Sequence, residues 1–294
     1  MAAPATIETR RFVGFDGSII VGDVAGNPSS PPVILMHGGG QTRHSWSGAL
    51  QHLAGMGYFV INLDLRGHGD SDWSPTGDYG LEPLSADLQC VIQTLHAPPA
   101  LVGASLGGLT ALYAIGHAPR QIASALVMID VVPRTNPAGA QRITDFMRKH
   151  LGGFATLEEA ADAVAEYNPR RPRSSDPAGL MKNLRLQEDG RLYWHWDPQL
   201  VHGPRRDEEL YFIEPLMLAA KRVKVPSALI RGVLSDVISD EGVGELQVAL
   251  QNLEIYDVAE AGHMVAGDRN DVFNKTVVAF LRRHHPAAPC ASQV

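Results

Sequence analysis

The residues best suited to chemistry in this sequence are a serine, a histidine and an aspartate. Ser105 stands in Gly103-Ala104-Ser105-Leu106-Gly107-Gly108, directly after the apolar run PALV and at the start of the helical pattern LTALYAIGH. A hydroxyl is a weak nucleophile until a base takes its proton, and it must project from the chain to reach a substrate. The pattern Gly-x-Ser-x-Gly meets the second need: small residues on both sides allow a tight strand-to-helix turn with the serine at its apex. The N–H of Leu106, at the N-terminus of that helix, is then placed to donate to a developing oxyanion.

A second glycine run, His37-Gly38-Gly39-Gly40, ends the apolar segment PVILM. Glycines there let the main chain approach a bound carbonyl closely, and spacing selects Gly39 as the other oxyanion donor. A base is expected at His263, in Ala-Gly-His-Met just beyond the run LEIYDV. Two aspartates end strands after the serine, Asp130 in ALVMIDVV and Asp236 in LIRGVLSDVIS, and either could orient that imidazole.

These groups need a scaffold that gathers strand ends. A hairpin is expected from about Thr6 to Val13 and Ser18 to Val24, turning at Asp16-Gly17. Continuous apolar runs follow at 32–37, 58–64, 99–104, 125–132, 226–232 and 253–258, as for strands buried on both faces of a parallel sheet. Helical stretches intervene at Ser47 to Ala54, Pro83 to Leu95, Leu106 to His117, Asp240 to Leu250 and Val272 to Arg283. The fold class is therefore α/β with a mostly parallel sheet flanked by helices, whose ligand sites lie beyond the carboxyl ends of the strands.

The alternation stops between residues 133 and 224. That segment holds Asn136-Pro137, the capping-box signature Thr156-x-x-Glu159 before an Ala-rich amphipathic stretch, and an Asp189-Gly190 turn, so it is expected as a mainly helical insertion. The core domain is then 1–132 with 225–294. Tyr193, Trp194, Trp196, Tyr211 and Phe212 are the insertion's aromatic residues, and Trp194 and Trp196 are expected to line the substrate site. The segment's slight positive balance, against an acidic remainder, suggests a substrate bearing a carboxylate.

Composition excludes other functions. The net charge of −7 argues against nucleic-acid binding, which needs a basic patch or stripe. No apolar run approaches the length of a membrane-spanning helix, and residues 1–11 lack an apolar signal-peptide core, so a cytoplasmic protein is expected. The two cysteines, Cys90 and Cys290, are expected as free thiols, and the scattered histidines suggest no metal site. No cofactor is expected. The expected partner is a small-molecule substrate, and monomer and homodimer remain open.

The elements HGGGQTRHSW (37–46), DLRGHGDSD (64–72), GASLGG (103–108), RGVLSD (231–236) and AGHM (261–264) together resemble the α/β-hydrolase superfamily, in the branch of esterases, cofactor-free haloperoxidases and epoxide hydrolases. The resemblance implies an eight-stranded, mostly parallel sheet with residues 133–224 as a cap over the site. It also implies the order nucleophile, acid, histidine, and thereby favours Asp236 over Asp130 as the acid. Ser105 stands where epoxide hydrolases and haloalkane dehalogenases of this fold carry an aspartate, which disfavours those activities. Asp64, Arg66 and His68 are expected to fix their loop rather than react.

The implied chemistry is cleavage of a carboxylic ester through an acyl-enzyme, with Ser105, His263 and Asp236 as a triad. A C–C bond hydrolase or lactonase would use the same triad. A slow-turnover ligand receptor on the same scaffold is the alternative from another class.

Overall fold

A computed structural model describes residues 5–169, 173, 175–202, 209–259, 261–263 and 270–287, the side chains of 202, 209–212 and 270–273 excepted. The chain opens with the expected hairpin, β1 (Ile7–Val13) and β2 (Ile19–Ala25). Strands β3 (Pro32–Met36), β4 (Phe59–Leu63), β5 (Ala100–Ala104) and β6 (Ala125–Ile129) follow, separated by α1 (Ser47–Gly55), α2 (Leu81–Gln93) and α3 (Leu106–His117). Every residue of β3, β4 and β6 is buried, which is why those runs are apolar throughout rather than alternating.

The inserted segment contains α4 (Pro137–Lys149), α5 (Leu157–Tyr167), a short hairpin of β7 (Leu184–Leu186) and β8 (Leu192–Trp194), a single turn α6 (Gln199–His202), and α7 (Glu209–Arg222). Its sequence signals act as expected. Asn136 Oδ1 accepts the Ala138 N–H and Pro137 occupies the first turn of α4. Thr156 Oγ1 accepts the Glu159 N–H at 3.1 Å while Glu159 reaches back to the Ala155 N–H at 2.6 Å. Asp189-Gly190 turns the β7–β8 hairpin, an element that the expectation of a mainly helical segment did not include.

The chain then returns through β9 (Ser227–Gly232), α8 (Asp240–Ala249), β10 (Leu253–Val258) and α9 (Asn270–His284). The eight-stranded sheet has the order β1-β2-β4-β3-β5-β6-β9-β10, with β1 and β2 antiparallel and the other strands parallel to one another. Alternate side chains supply two cores. Ile34, Leu101 and Met128 face α2, α3, α7 and α8. Val33, Val102 and Val127 face α1 and α9.

The insertion has a core of its own, built from Met147, Phe154, Ala160, Leu184, Leu192, Trp194, Trp196 and Val201. Its last helix is shared with the sheet domain: Leu216, Ala219 and Ala220 of α7 join the larger core. There α7 lies so close to α3 that a Cβ at Gly116 would stand 2.3 Å from the Ala219 Cα. Cys90 is a free thiol and Cys290 lies outside the described residues. Among the described residues no helix is long and apolar enough to cross a membrane, and no histidine, cysteine and carboxylate cluster could hold a metal ion.

Candidate active site

The chemistry-bearing residues gather where the parallel strands end, as the sheet topology requires. Ser105 follows β5 and Asp130 follows β6, and the two ends are tied by the Ser105 N–H donating to Ile129 O at 3.0 Å. These are the two non-glycine residues with positive φ among the described residues, 45° at Ser105 and 48° at Asp130. Such conformations cost of order 1–3 kcal/mol each and persist where the surroundings over-determine them.

Close packing explains the glycines beside Ser105. A Cβ at Gly103 would stand 2.3 Å from the Gly107 carbonyl carbon, and one at Gly107 would stand 2.6 Å from Met36 O. The turn can therefore fold back on itself, and α3 can press against β3, only with hydrogen at both positions. Leu106 is the first residue of α3, where a helix leaves its amides unpaired. The first helical bond is Leu109 N–H to Ser105 O.

The His37–Gly40 loop passes beside this turn: a Cβ at Gly38 would lie 3.3 Å from Ser105 Cβ. Its amides are differentiated. Gly38 N–H donates to Gln41 Oε1 at 3.1 Å and Gly40 N–H donates to His68 Nε2 at 3.1 Å. The Gly39 N–H between them has no such partner among the described residues.

That loop is braced by DLRGHGDSD, whose Asp64, Arg66 and His68 were expected to fix their own loop. His68 donates through Nδ1–H to Arg66 O, which leaves Nε2 as the acceptor for Gly40. His37 likewise donates through Nδ1–H to Gly38 O at 2.8 Å and accepts the Leu65 N–H at 3.0 Å. Both imidazoles are fully buried and neutral. Burial lowers the pKa of His37, and burial with the neighbouring His37 brings that of His68 down to about 3. Asp64 receives the Arg43 N–H at 2.6 Å, the Asp70 N–H at 3.0 Å and the Arg43 guanidinium. Arg66 is held by Asp87 at 2.5 and 2.7 Å and by Asp16.

His263 follows β10, and its Nδ1 lies 2.8 Å from Asp130 Oδ2. The Asp130 side chain is only 1% exposed. Its Oδ1 accepts the Gly232 N–H at 2.8 Å and its Oδ2 also accepts the Ser235 hydroxyl at 2.5 Å. Asp236 is elsewhere: it pairs with Arg142 of α4 at 2.8 Å, with both side chains substantially exposed. The structure therefore sets Asp130 against His263, where Asp236 was expected. The reason is local. The Val237 N–H is taken by Ser235 Oγ and its carbonyl by Asn136 N–H, so the loop turns Ser235 inward and Asp236 out beneath α4.

Trp194 and Trp196, expected to line the substrate site, pack within the insertion. They are 9% and 4% exposed and belong to the insertion's own core. Trp194 packs edge-on against Phe154 with ring centroids 5.1 Å apart, and Trp196 forms a β-bridge with His68. Tyr193 hydrogen-bonds Asp189 beside the hairpin turn. The side chains of Tyr211 and Phe212 lie outside the described residues.

The insertion reaches the site through other residues. Met147 of α4 lies over Gly40, where a Cβ would meet its Cε at 3.4 Å. At the other end of α4, a Cβ at Gly139 would stand 2.2 Å from Asp236 O. Helix α4 thus spans from the β9 loop to the glycine loop. The hairpin side is clamped to the 64–72 loop by Gly69 N–H to His195 O at 2.7 Å and Asp197 N–H to Gly67 O at 2.8 Å.

Ser235 and Met147 were not singled out from sequence. An uncharged serine beside a stronger aspartate candidate, and a methionine within an amphipathic helix, carry no local signature of a site.

Comparison with known proteins gives a consistent placement. A family model describing the alpha/beta hydrolase fold matches residues 31–265. An esterase of Mycobacterium tuberculosis, Rv0045c, is 30% identical over 249 residues, covering 82% of this chain and 79% of its own. Its solved structure superposes with a TM-score of 0.76 at 26% identity, covering 96% of this chain and 93% of that one. A probable protein phosphatase methylesterase 1 of Caenorhabditis elegans is 24% identical over 290 residues, covering 96% of this chain and 77% of its own. An alpha/beta hydrolase from Novosphingobium aromaticivorans shares the fold at 22% identity with a TM-score of 0.76, covering 96% and 100% of the two chains.

Proposed function

The chain belongs to the alpha/beta hydrolase family and cleaves esters of small molecules; from that premise we propose that Ser105 is its nucleophile, His263 its general base and Asp130 the carboxylate that orients the base. The observation that carries this reading is the 2.8 Å contact between His263 Nδ1 and Asp130 Oδ2, made at the strand ends where Ser105 also sits.

The reaction follows from these roles. Ser105 Oγ attacks the acyl carbon as His263 Nε2 takes its proton, and the Nδ1–H bond to Asp130 fixes the tautomer and favours the imidazolium. The Gly39 and Leu106 N–H groups receive the oxyanion, each contributing about 3 to 4 kcal/mol of transition-state stabilisation. His263 then protonates the departing alcohol, which leaves an acyl-enzyme. A water deprotonated by His263 attacks the acyl carbon, and Ser105 departs with the proton restored to it.

Helix α4 supplies the roof. Met147, though part of the insertion's core, reaches Gly40 with its side chain, so in this reading it bears on substrate range through the glycine loop. Residues 133–224 act in this reading as a cap whose core is structural and whose α4 face meets substrate.

Turnover of short p-nitrophenyl esters tests the reading. The wild-type chain should show sustained release, and Ser105→Ala and His263→Ala should each lose roughly 10⁶-fold in kcat while remaining folded. Retention of most activity by folded Ser105→Ala would overturn it.

A further inference from the structure

We propose that Ser235 is a positioning residue for the Asp130–His263 pair: its hydroxyl holds the carboxylate in line and limits how strongly that carboxylate favours the imidazolium. This rests on the reading of His263 as general base and Asp130 as its partner.

Asp130 Oδ2 receives two donors, His263 Nδ1 at 2.8 Å and Ser235 Oγ at 2.5 Å. The serine proton is directed rather than free. Ser235 Oγ accepts the Val237 N–H at 3.2 Å, which occupies a lone pair and leaves its O–H for the carboxylate. The serine backbone is pinned as well, its N–H donating to Gly232 O at 3.0 Å. Gly232 returns its own N–H to Asp130 Oδ1 at 2.8 Å. The turn 232–235 therefore grips both carboxylate oxygens.

Two consequences follow from removing the hydroxyl. The carboxylate is nearly inaccessible, so water cannot readily replace the lost donor, and negative charge concentrates on the oxygen facing His263. The bond from the imidazole Nδ1–H to that oxygen then strengthens. Meanwhile Oδ2 loses a lateral restraint, and the imidazole is aimed less accurately.

The other charged groups near this turn are already engaged. Asp236 pairs with Arg142, and Arg231 with Asp257 and Asp240. Among the described residues, Asp130 is the ionisable group in direct contact with His263.

Two readouts on the full-length chain test the proposal. In protein labelled with ¹⁵N-histidine, the His263 Nδ1–H signal should shift in Ser235→Ala and return towards wild type in Ser235→Thr, which restores the hydroxyl. The acid limb of kcat/KM should move to higher pH, with kcat near neutral pH down roughly threefold to tenfold and KM little changed. Ser235→Cys keeps a weak donor of similar size and should give a smaller shift of the same sign, which covers the case in which the alanine variant folds poorly. A His263 Nδ1–H signal, pH profile and turnover equal to wild type in Ser235→Ala, or a threonine variant indistinguishable from alanine, overturns the proposal. If instead folded Ser105→Ala keeps its activity, the reading of the whole site fails and this one with it.

Discussion

His263 and Asp130, 133 positions apart in the chain, meet through a 2.8 Å contact at the ends of β10 and β6. Asp236, four residues past the end of β9, is paired outward with Arg142. Replacing Asp130 by Asn should leave the imidazole without its anionic partner and lower kcat by roughly 10⁴-fold, by analogy with the serine-protease case. Asp236→Asn should cost no more than severalfold, since it removes only an exposed ion pair worth about 0–1 kcal/mol. Ester turnover compared at equal folded fraction distinguishes the two, and the reverse order would return the acid to Asp236.

The neutral histidines under the glycine loop predict acid sensitivity. Their folded pKa values lie below the ordinary imidazole value, so the unfolded chain binds protons that the folded chain refuses. Stability from this source is complete above about pH 6.5 and declines as the pH falls toward about 3, where His68 protonates. His68→Gln, which keeps an acceptor for the Gly40 N–H, should flatten the acid side of a plot of Tm against pH. An unchanged slope would show that His68 is not what titrates.

Gly107→Ala should be among the most damaging single-methyl additions in the protein. Its Cβ would collide with backbone, Met36 O at 2.6 Å and His37 O at 2.8 Å, rather than with a side chain able to swing away. A loss of about 3 kcal/mol or more is expected from such overpacking. Chemical denaturation of the soluble fraction measures it.

The tryptophans should behave as core. Trp194→Ala and Trp196→Ala should each destabilise the fold by about 3–5 kcal/mol, as for a buried aromatic. Met147→Ala should instead change the ranking of ester substrates while costing less stability. Thermal melting beside a panel of esters of increasing acyl length separates these outcomes.

The strands were legible because burial on both faces forces continuous apolar runs, and Ser105 was legible because a tight turn restricts its neighbours to small residues. His263 was readable from its place after the last strand. Its carboxylate partner was not, since Asp130 and Asp236 both follow strands. The choice between them depends on a positive φ at Asp130 and on the turn that carries Ser235 inward, and neither is written in local sequence. The β7–β8 hairpin is not legible in the sequence because three-residue strands are too short to show a period. The packing of Trp194 on Phe154 is not legible either, because composition cannot tell an aromatic facing a ligand from one facing another side chain.

The central claim, that Ser105 is activated by the His263–Asp130 pair to form a covalent acyl-enzyme, is tested most directly by mass spectrometry of the protein after reaction with an organophosphonate. A single adduct mapping to the peptide that contains Ser105 is predicted, with ester turnover lost in proportion to the adduct formed, and with neither adduct nor turnover in Ser105→Ala. Labelling at another residue, or undiminished labelling of folded Ser105→Ala, would contradict it.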